Sequence, residues 1–407
     1  MAPMIASPPL PPPSSTRSSG GLAGAAGASG DRATAHRPAF LGPLRLSGYG
    51  VERQLTCRVL QSPLAGVSDR IFRGLVRRWA PDALLFTEMV NATSLELGHG
   101  RAKVEDLATE SGPIGVQLFD HRPDAMAEAA RRAEASGAYL IDINMGCPVR
   151  KIARKGGGSG LIRDPDLAGR IVEAVAAAVS IPVTVKTRLA WCGLPGAEGA
   201  GTQDSQGHGR LGDGAGDPLD ATSSVHDDVT LQRALGWCRH LEEAGARQLT
   251  LHGRTREQGF RGRADWEAIG AVKRALRIPV IANGDVRSPA DALRCLAETG
   301  ADGVMVGRAS MGAPWMVGRI AAALEGRPLP PEPGAIERIA LAAEQLESLV
   351  EAHGPKGLLI ARKHLGWTCQ GFAGAAELRH ALMRAPTPAE ARELLARAAD
   401  SLRTVVP

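Results

Sequence analysis

Short runs of apolar and β-branched residues recur along the chain between residues 58 and 307, and segments with helical periodicity lie between most of them. Flanking Gly, Pro and polar residues make each run typical of a buried strand. The runs are RVLQS (58–62), ALLFT (83–87), IGVQLF (114–119), YLIDIN (139–144), VTVKT (183–187), QLTLHG (248–253), PVIANG (279–284) and DGVMVG (302–307). Eight such strands alternating with helices predict an α/β fold, a closed (β/α)8 TIM barrel rather than a doubly wound open sheet.

Helix boundaries support this alternation. Asp164-Pro165 and Ser288-Pro289 each look like an N-cap followed by Pro at the first helical position, and Gly300 is placed to end the second of these helices. From about residue 335 the strand pattern stops and only helical patterns follow. We therefore predict a barrel domain over 55–325 and a small all-helical C-terminal domain over 335–407.

Two segments have compositions that do not favour a packed structure. Residues 1–54 are rich in Pro, Ser, Gly and Ala, and residues 192–226 are rich in Gly without periodicity. The first is predicted to be a disordered tail; a transit-like leader and a start codon placed too early are the alternatives. The second is predicted to be a flexible insertion in the loop that follows the fifth barrel strand.

Composition narrows the classes of function only slightly. No run of about 18 apolar residues is present, so we expect no membrane span. The six cysteines form no C-x-x-C pair, which favours a reducing, cytoplasmic location and argues against a disulfide framework or structural zinc. A net charge of +5 permits a nucleic-acid partner, although an aromatic content of 3% leaves few rings for base stacking.

Polar or special-backbone residues stand at the carboxyl end of every predicted strand. These ends carry Pro63, Glu88, Gln117, Asn144, Lys186, His252, Asn283 and the pair Gly307-Arg308. In a barrel the carboxyl ends of the strands converge on one mouth, where active sites of this fold are built. A buried lysine is costly unless it meets an anion or an electron-rich ligand, so Lys186 is especially informative.

The last two strands are followed by a phosphate-binding pattern. NGDV (283–286) and GRASMGAPW (307–315) place glycines after strands seven and eight, the usual phosphate position in this fold. The backbone at Gly307 and the guanidinium of Arg308 suit a phosphate dianion. No GxGxxG follows a strand, so a Rossmann dinucleotide site is not indicated. A phosphorylated cofactor shaped like flavin mononucleotide (FMN) fits best.

Several motifs in this order resemble the tRNA-dihydrouridine synthase family. They are SPLAGVSDRIFR, TEMV, GVQLF, DINMGCPVRKIARKGGGSGL, VTVKTRL, LTLHGRTREQGFRGRADW, IANGDV and GVMVGRASMGAPW. The tail ARKHLGW resembles the bacterial B-type subgroup, and the resemblance covers roughly residues 56–400 without the Gly-rich segment. It implies an enzyme that uses FMN and NADPH (or NADH) to reduce the C5–C6 bond of uridines in tRNA, with the D-loop favoured.

The resemblance also implies roles for individual residues. Cys147 would be the general acid that protonates C5, a task that requires the thiol rather than the thiolate. The expected FMN contacts are Pro63, Leu64, Ala65, Gln117, Lys186, His252, Asn283, Gly284, Asp285, Gly307 and Arg308. Leu64 departs from the family, which usually has Met here; both side chains are apolar and similar in volume.

The expected RNA contacts are mostly basic residues at the mouth and in the helical domain. They are Asn144, Arg150, Lys151, Arg154, Lys155, Arg254, Arg256, Arg362 and Lys363. We expect tRNA as partner, a helical domain that binds it, and a monomer. A small-molecule FMN oxidoreductase of the dihydroorotate or dihydropyrimidine dehydrogenase type is the main alternative, and a catalytically dead RNA-binding barrel is another. The basic tail and the arginines after His252 favour the tRNA enzyme.

Overall fold

The computed structural model describes residues 42–105, 107–191 and 228–405. Its strands are β1 (Leu44–Leu46), β2 (Arg53–Leu55), β3 (Val59–Gln61), β4 (Leu85–Phe86), β5 (Val90–Asn91), β6 (Ile114–Phe119), β7 (Leu140–Met145), β8 (Val183–Arg188), β9 (Leu249–His252), β10 (Val280–Asn283) and β11 (Gly303–Val306). Its α-helices are α1 (Arg70–Trp79), α2 (Ala92–Glu96), α3 (Pro123–Ala135), α4 (Arg150–Ala153), α5 (Pro165–Ala178), α6 (Asp228–Glu243), α7 (Trp266–Ala275), α8 (Pro289–Thr299), α9 (Trp315–Leu324), α10 (Ala335–His353), α11 (Lys356–Thr368), α12 (Ala375–Arg384) and α13 (Pro388–Val405).

Eight parallel strands close into a barrel. Around the barrel the order is β3, β4, β6, β7, β8, β9, β10 and β11, and β11 pairs again with β3. The join between β3 and β4 is a single bridge, Leu60 to Leu84, with the Gln61 N–H donating to the Leu84 carbonyl at 3.0 Å. All eight predicted strands and the TIM-barrel prediction are thereby confirmed.

The helix ends follow the sequence signals. The Asp164 carboxylate accepts from the Leu167 N–H at 3.0 Å, and the Ser288 hydroxyl accepts from the Asp291 N–H at 3.1 Å. Gly300 ends α8 in the left-handed conformation, with φ at 64°. These caps satisfy backbone groups that a helix leaves unpaired, and they therefore fix the residues at which α5 begins and α8 begins and ends.

A short antiparallel pair, β1 and β2, closes the amino-terminal end of the barrel. Leu44, Leu46 and Leu55 are buried against apolar side chains inside the barrel, including Leu60 and Leu140. The predicted tail boundary at residue 54 was therefore wrong for residues 42–54. Strands of only three residues give too little periodicity to predict, and they become stable only by covering the barrel interior.

The predicted helical C-terminal module is confirmed from residue 335 onward. Helices α10 to α13 share their own apolar core, and Ile71 of α1 packs against that core. His364 of α11 lies beside Phe72 of α1, with ring centroids 6.4 Å apart. Trp367 of α11 packs against the loop before α9, where a Cβ on Gly312 would lie 2.3 Å from the Trp367 carbonyl carbon. The module therefore packs directly on the barrel.

Two predicted segments lie mostly or wholly outside the residues that the structure describes. Most of the N-terminal segment, residues 1–41, and the Gly-rich insertion at 192–226 lie outside the described residues. In the three described ranges, no helix combines the length and apolar character that a membrane crossing requires.

Candidate active site

The carboxyl ends of the barrel strands bring the predicted polar residues together at one mouth. The strand register pairs Asn144 with Lys186, and His252 with Asn283. The Lys186 ammonium donates to the Asn283 Oδ1 at 3.0 Å across the intervening strand β9. The Gln117 Oε1 accepts from the Asn144 amide at 2.8 Å. Residues that are far apart in sequence thus form two hydrogen-bonded pairs at neighbouring strand ends.

Cys147 is held at this mouth by the side chain of Asn144. The Asn144 Oδ1 accepts from the N–H groups of Gly146, at 3.1 Å, and Cys147, at 2.9 Å. Burial raises the pKa of the Cys147 thiol above its usual value, although the Val149 N–H and nearby cations oppose the shift. Cys147 is half-buried, whereas the other cysteines in the described ranges are fully buried. It is therefore a protonated, partly accessible thiol at neutral pH.

All hydrogen-bonding positions of the Asn144 amide are used within the protein. Besides the two bonds accepted by its oxygen, its nitrogen donates to Gln117 and contacts the Met89 Sδ at 3.7 Å. An asparagine side chain offers two donors and two acceptor sites. A direct contact between Asn144 and RNA stays a prediction, and it would require one of these bonds to be exchanged.

Lys186 is a cation whose proton is weakly held. Burial, together with the Arg188 charge, lowers the pKa of Lys186 to about 8, and the Asp142 charge opposes the shift. Its partner Asn283 is fixed in turn, because its amide nitrogen donates to the Met305 carbonyl at 2.9 Å. Most Lys186 side chains are thus charged at pH 7, and Asn283 holds the ammonium at the strand ends.

His252 is neutral, and its contact with Arg254 decides which ring nitrogen carries the proton. Burial and four surrounding cations lower the pKa of His252 well below its usual value. The Arg254 Nη1 lies 3.4 Å from the His252 Nε2. Because a guanidinium only donates, we assign the imidazole proton to Nδ1. His252 therefore offers a neutral N–H donor at the mouth.

The predicted phosphate end is a cluster of guanidinium groups around one carboxylate. The Asp285 carboxylate pairs with Arg254 at 2.8 Å and with Arg308 at 3.6 Å, and it accepts from the Ala264 N–H at 2.7 Å. Burial alone would raise the pKa of Asp285, but the Ala264 N–H and the guanidinium groups of Arg254 and Arg287 outweigh it and hold the pKa below its usual value. An ionised carboxylate repels phosphate, so Asp285 contributes by orienting the two arginines.

The two glycines of this cluster differ in how closely other atoms approach them. Gly284 has φ at 115°, and a Cβ there would lie 2.7 Å from the Ala264 Cβ and 2.9 Å from the His252 ring. A Cβ on Gly307 would meet nothing closer than 3.5 Å. Gly284 is thus required by the turn, whereas a Cβ on Gly307 would make only ordinary van der Waals contact with Ser62 and Leu64. The next residue, Arg308, has a half-exposed side chain.

The turn after β3 forms the opposite side of the mouth. Pro63, Leu64 and Ala65 are partly or fully exposed there, and the Leu64 N–H donates to the Ser68 hydroxyl at 2.9 Å. The Gly66 N–H donates to the Glu88 carboxylate. The three predicted ring contacts are therefore presented by a turn that is fixed at both ends.

Two mouth residues were missed from the sequence. Arg188 is 3% exposed and donates to the carbonyls of Gly146, Thr255 and Gly259 at 2.9–3.0 Å, so it ties the Cys147 loop to the loop after β9. Phe260 is 60% exposed, with the guanidinium of Arg308 5.0 Å from its ring centre. Arg188 could have been found because it lies two residues after Lys186, on the same face of β8.

The predicted RNA contacts differ in how they are placed. The four basic residues of α4 and its end are all exposed: Arg150, Lys151, Arg154 and Lys155. Arg254, however, is 1% exposed and paired with Asp285, so a direct contact between Arg254 and tRNA does not fit this placement. Arg256 is half-buried, and its guanidinium lies 4.7 Å from the ring centre of Trp191.

The helical module brings two more predicted RNA contacts near the barrel. The Arg362 guanidinium donates to the Ala385 carbonyl at 3.0 Å, so it is partly used within the module. The Lys363 Nζ would lie 2.9 Å from a Cβ built on Gly66. Lys363 therefore reaches the turn that carries Pro63 to Ala65, and the module borders the mouth.

Sequence comparisons with known proteins agree on one family. The dihydrouridine synthase (Dus) family model matches residues 60–197 and 211–403. The chain is 46% identical over 349 residues to the probable tRNA-dihydrouridine synthase 1 of Synechocystis sp., covering 86% of this chain and 88% of that one. It is 38% identical over 334 residues to the tRNA-dihydrouridine synthase B of Xanthomonas axonopodis, covering 81% and 89%. A solved structure of morphinone reductase aligns with a TM-score of 0.46 at 16% identity, over 74% of this chain and 93% of that one. From its sequence, the chain belongs to the dihydrouridine synthase family.

Proposed function

We propose that this protein is a tRNA-dihydrouridine synthase, an oxidoreductase that reduces the C5–C6 double bond of uridine in tRNA with FMN as cofactor and NADPH or NADH as reductant. The observation that supports it most directly is the protonated Cys147 thiol, held by Asn144 at a mouth that also contains the Lys186 ammonium. The relatives with this name cover more than 80% of the chain.

The mouth residues fit an FMN molecule. Gly307 directly precedes Arg308, whose side chain is 46% exposed and only loosely paired with Asp285, so a phosphate could be bound there. Asn283, Gly284 and Asp285 would support that end. Pro63, Leu64 and Ala65 would contact one face of the ring system, with Gln117, Lys186 and His252 around its polar edge. When bound, FMN would supply the hydride for C6 of the uracil.

Cys147 would supply the proton for C5. Hydride addition at C6 leaves enolate-like charge, and a positioned acid must quench that charge from the other face. The raised pKa keeps Cys147 protonated at neutral pH, which is the form this role needs. The Lys186 cation would favour negative charge at the adjacent edge of the cofactor. His252 would add a neutral donor from Nδ1.

The exposed cations would bind the tRNA backbone. Arg150, Lys151, Arg154 and Lys155 lie directly after the Cys147 loop, and Lys363 reaches the opposite side of the mouth. Contacts to phosphates give affinity and salt dependence without base specificity. Phe260 offers an exposed ring on which a base could stack. The helical module would therefore help to place a D-loop uridine that has been turned out of its stack.

Mass spectrometry of tRNA from a strain lacking the gene tests this function. We expect one uridine position to lose its two-dalton gain in mass, and the wild-type gene to restore it. A gene carrying Cys147→Ala should fail to restore it. Unchanged dihydrouridine in the deletion strain, together with a purified protein that binds no FMN, would contradict the proposal.

A further inference from the structure

A fully buried carboxylate, Asp142, lies on β7, the strand that leads into the Cys147 loop. Asp142 is 0% exposed and points into the barrel from β7. Its Oδ1 accepts from the Thr184 hydroxyl at 2.7 Å, and its Oδ2 accepts from the Gln117 Nε2, also at 2.7 Å. Asp142 has no part in the proposed hydride and proton transfers, and a buried carboxylate is costly unless it is paired or hydrogen-bonded.

A continuous row of hydrogen bonds joins Asp142 to the backbone of Cys147. Gln117 donates to Asp142, and its Oε1 accepts from the Asn144 Nδ2 at 2.8 Å. The Asn144 Oδ1 then accepts from the N–H groups of Gly146 and Cys147. Each link is short, and Asp142, Gln117 and Asn144 are all more than 90% buried. The row therefore runs from the barrel interior to the loop that holds the thiol.

The direction of this row is set at Asp142. An ionised carboxylate only accepts hydrogen bonds, so Gln117 must turn its nitrogen toward Asp142 and its oxygen toward Asn144. Asn144 must then turn its nitrogen toward Gln117, which leaves its oxygen for the loop. A flip of either amide would place two donors or two acceptors face to face. A neutral apolar residue at position 142 would leave both amides free to turn.

We propose that Asp142 is a positioning residue for Cys147, which acts by fixing the orientation of the Gln117 and Asn144 amides. The inference rests on the proposed function and deepens it, because it assigns the group that keeps the proton donor in place. Asp142 does not touch uracil or the cofactor in this role. It acts through three hydrogen bonds, and its effect appears at the Cys147 loop.

Two substitutions separate orientation from charge. Asp142→Leu removes the acceptor, so the Gln117 amide loses its fixed direction. Asp142→Asn keeps the row, because its oxygen can accept from Gln117 while its nitrogen donates to the Thr184 hydroxyl, whose own proton can go to the Ile141 carbonyl, 3.4 Å away. Thr250→Val is a matched control, since Thr250 is a fully buried strand residue inside the barrel but lies outside the row.

The first measurement is the alkylation rate of Cys147 by iodoacetamide at pH 8, followed by peptide mass spectrometry. A Cys192→Ser background removes a cysteine that lies outside the described residues. Burial raises the pKa of Cys57, Cys238, Cys295 and Cys369 to about 12, so these thiols react slowly. We expect Asp142→Leu to react about tenfold faster or more, since the released loop exposes the thiol. Asp142→Asn and Thr250→Val should stay within about threefold of the parent.

The second measurement divides the reaction into its two half-reactions. Reduction of bound FMN by NADPH does not involve Cys147 and should be affected much less in Asp142→Leu than the second half-reaction, although Gln117 is itself an expected FMN contact. Oxidation of the reduced protein by unmodified tRNA should be about 10- to 100-fold slower, the effect expected of a small misplacement of a reacting group. A loss that is equal in both half-reactions would indicate general damage and would overturn the proposal.

The alkylation assay needs no tRNA, so it decides the proposal even if the proposed function fails. An unchanged Cys147 rate in Asp142→Leu would overturn the inference. An Asp142→Asn rate as high as that of Asp142→Leu would assign the effect to charge and would also overturn it. If Asp142→Leu does not fold, Gln117→Leu breaks the next link and should give the same faster alkylation. A parent protein that oxidises no reduced FMN with tRNA would instead count against the proposed function.

Discussion

The Lys186 ammonium donates to the Asn283 Oδ1 at 3.0 Å, so the ends of β8 and β10 are joined across β9. Asn283 is itself fixed by the Met305 carbonyl on β11. The lysine is thus held at one place while burial lowers its pKa to about 8. The Lys186 ammonium is therefore charged at neutral pH and loses its charge in mildly alkaline solution. This loss of charge should be visible in the pH dependence of the reaction.

We expect the kcat/KM for tRNA to fall as the pH rises through about 8. The lowered pKa means that Lys186 is charged below this pH and neutral above it, so the favourable charge is lost on the alkaline side. The Cys147 thiol stays protonated to higher pH because its pKa is raised. The residual activity of Lys186→Met should lack the decrease near pH 8. Steady-state rates from pH 6 to 9.5 would show the difference.

Lys273→Met is the control for that experiment. Lys273 pairs with Asp302 at 2.6 Å and belongs to α7 on the outside of the barrel. Its pH profile should match the wild-type profile. The same alkaline decrease in Lys186→Met would assign the titration to another group.

Cys147→Ala should retain FMN and its reduction by NADPH, while uridine reduction falls by about 10²- to 10⁴-fold, the usual contribution of a general acid. Single-turnover oxidation of the reduced protein by unmodified tRNA measures this step directly. Cys295→Ala provides the comparison, because Cys295 is fully buried in α8. Equal single-turnover rates in Cys147→Ala and the wild type would remove Cys147 from the proton-donor role.

Arg254 and Arg308 should contribute in different ways although both pair with Asp285. Arg254 is 1% exposed, so Arg254→Met removes a buried partner and should lower the free energy of unfolding by about 3 kcal/mol. Arg308 is half-exposed, so Arg308→Met should cost less than about 1 kcal/mol. Urea unfolding of the FMN-free proteins measures both values.

FMN binding should depend on Arg308. Arg308→Met removes a candidate phosphate ligand and should weaken FMN binding about tenfold or more, in line with the loss of one charged hydrogen bond. Fluorescence titration of FMN into the FMN-free protein gives the dissociation constant. An Arg308→Met variant that binds FMN as tightly as the wild type would place the phosphate elsewhere.

The strand ends of the site could be predicted because the barrel itself could be. Apolar runs identify the strands, and a closed parallel barrel brings their carboxyl ends together whatever the loops do. Lys186, His252 and Asn283 were therefore placed at the mouth from the sequence alone. Cys147 was found because a cysteine between Gly146 and Pro148 does not suit a buried core.

The remaining features depend on contacts that no local pattern specifies. Asp142 looks like one more polar residue in a strand until its bond to Gln117 is seen. Arg254 is of the residue type expected to contact RNA, yet its guanidinium pairs with the Asp285 carboxylate. The approach of Lys363 to Gly66 depends on how the helical module packs on the barrel. Such long-range relationships are set by tertiary packing and not by periodicity.

Asp142→Asn should remove the part of the pH dependence of the free energy of unfolding that comes from titration of Asp142. Burial raises the pKa of Asp142 to about 6 in the folded protein, whereas an unfolded aspartate titrates near 4. Its contribution to stability is therefore fully present below about pH 4 and is lost as the pH rises through about 6. Asparagine does not titrate, so the stability of the variant relative to wild type should rise by about 3 kcal/mol over this range. Urea unfolding from pH 4 to 7.5 would show it, and a flat difference would contradict the raised pKa.

Gly312→Ala should weaken the packing of the helical module on the barrel. Gly312 has φ at 68°, and a Cβ there would lie 2.3 Å from the Trp367 carbonyl carbon, which is backbone and cannot turn away. Gly326 has almost the same φ, 67°, but a Cβ there would meet nothing within 4 Å. Gly326→Ala should therefore cost only the left-handed strain, about 1–2 kcal/mol. Gly312→Ala should add a further 1–3 kcal/mol of overpacking and should increase hydrogen exchange along α11. If the two variants unfold at the same urea concentration and exchange α11 equally, Trp367 does not hold the module in place.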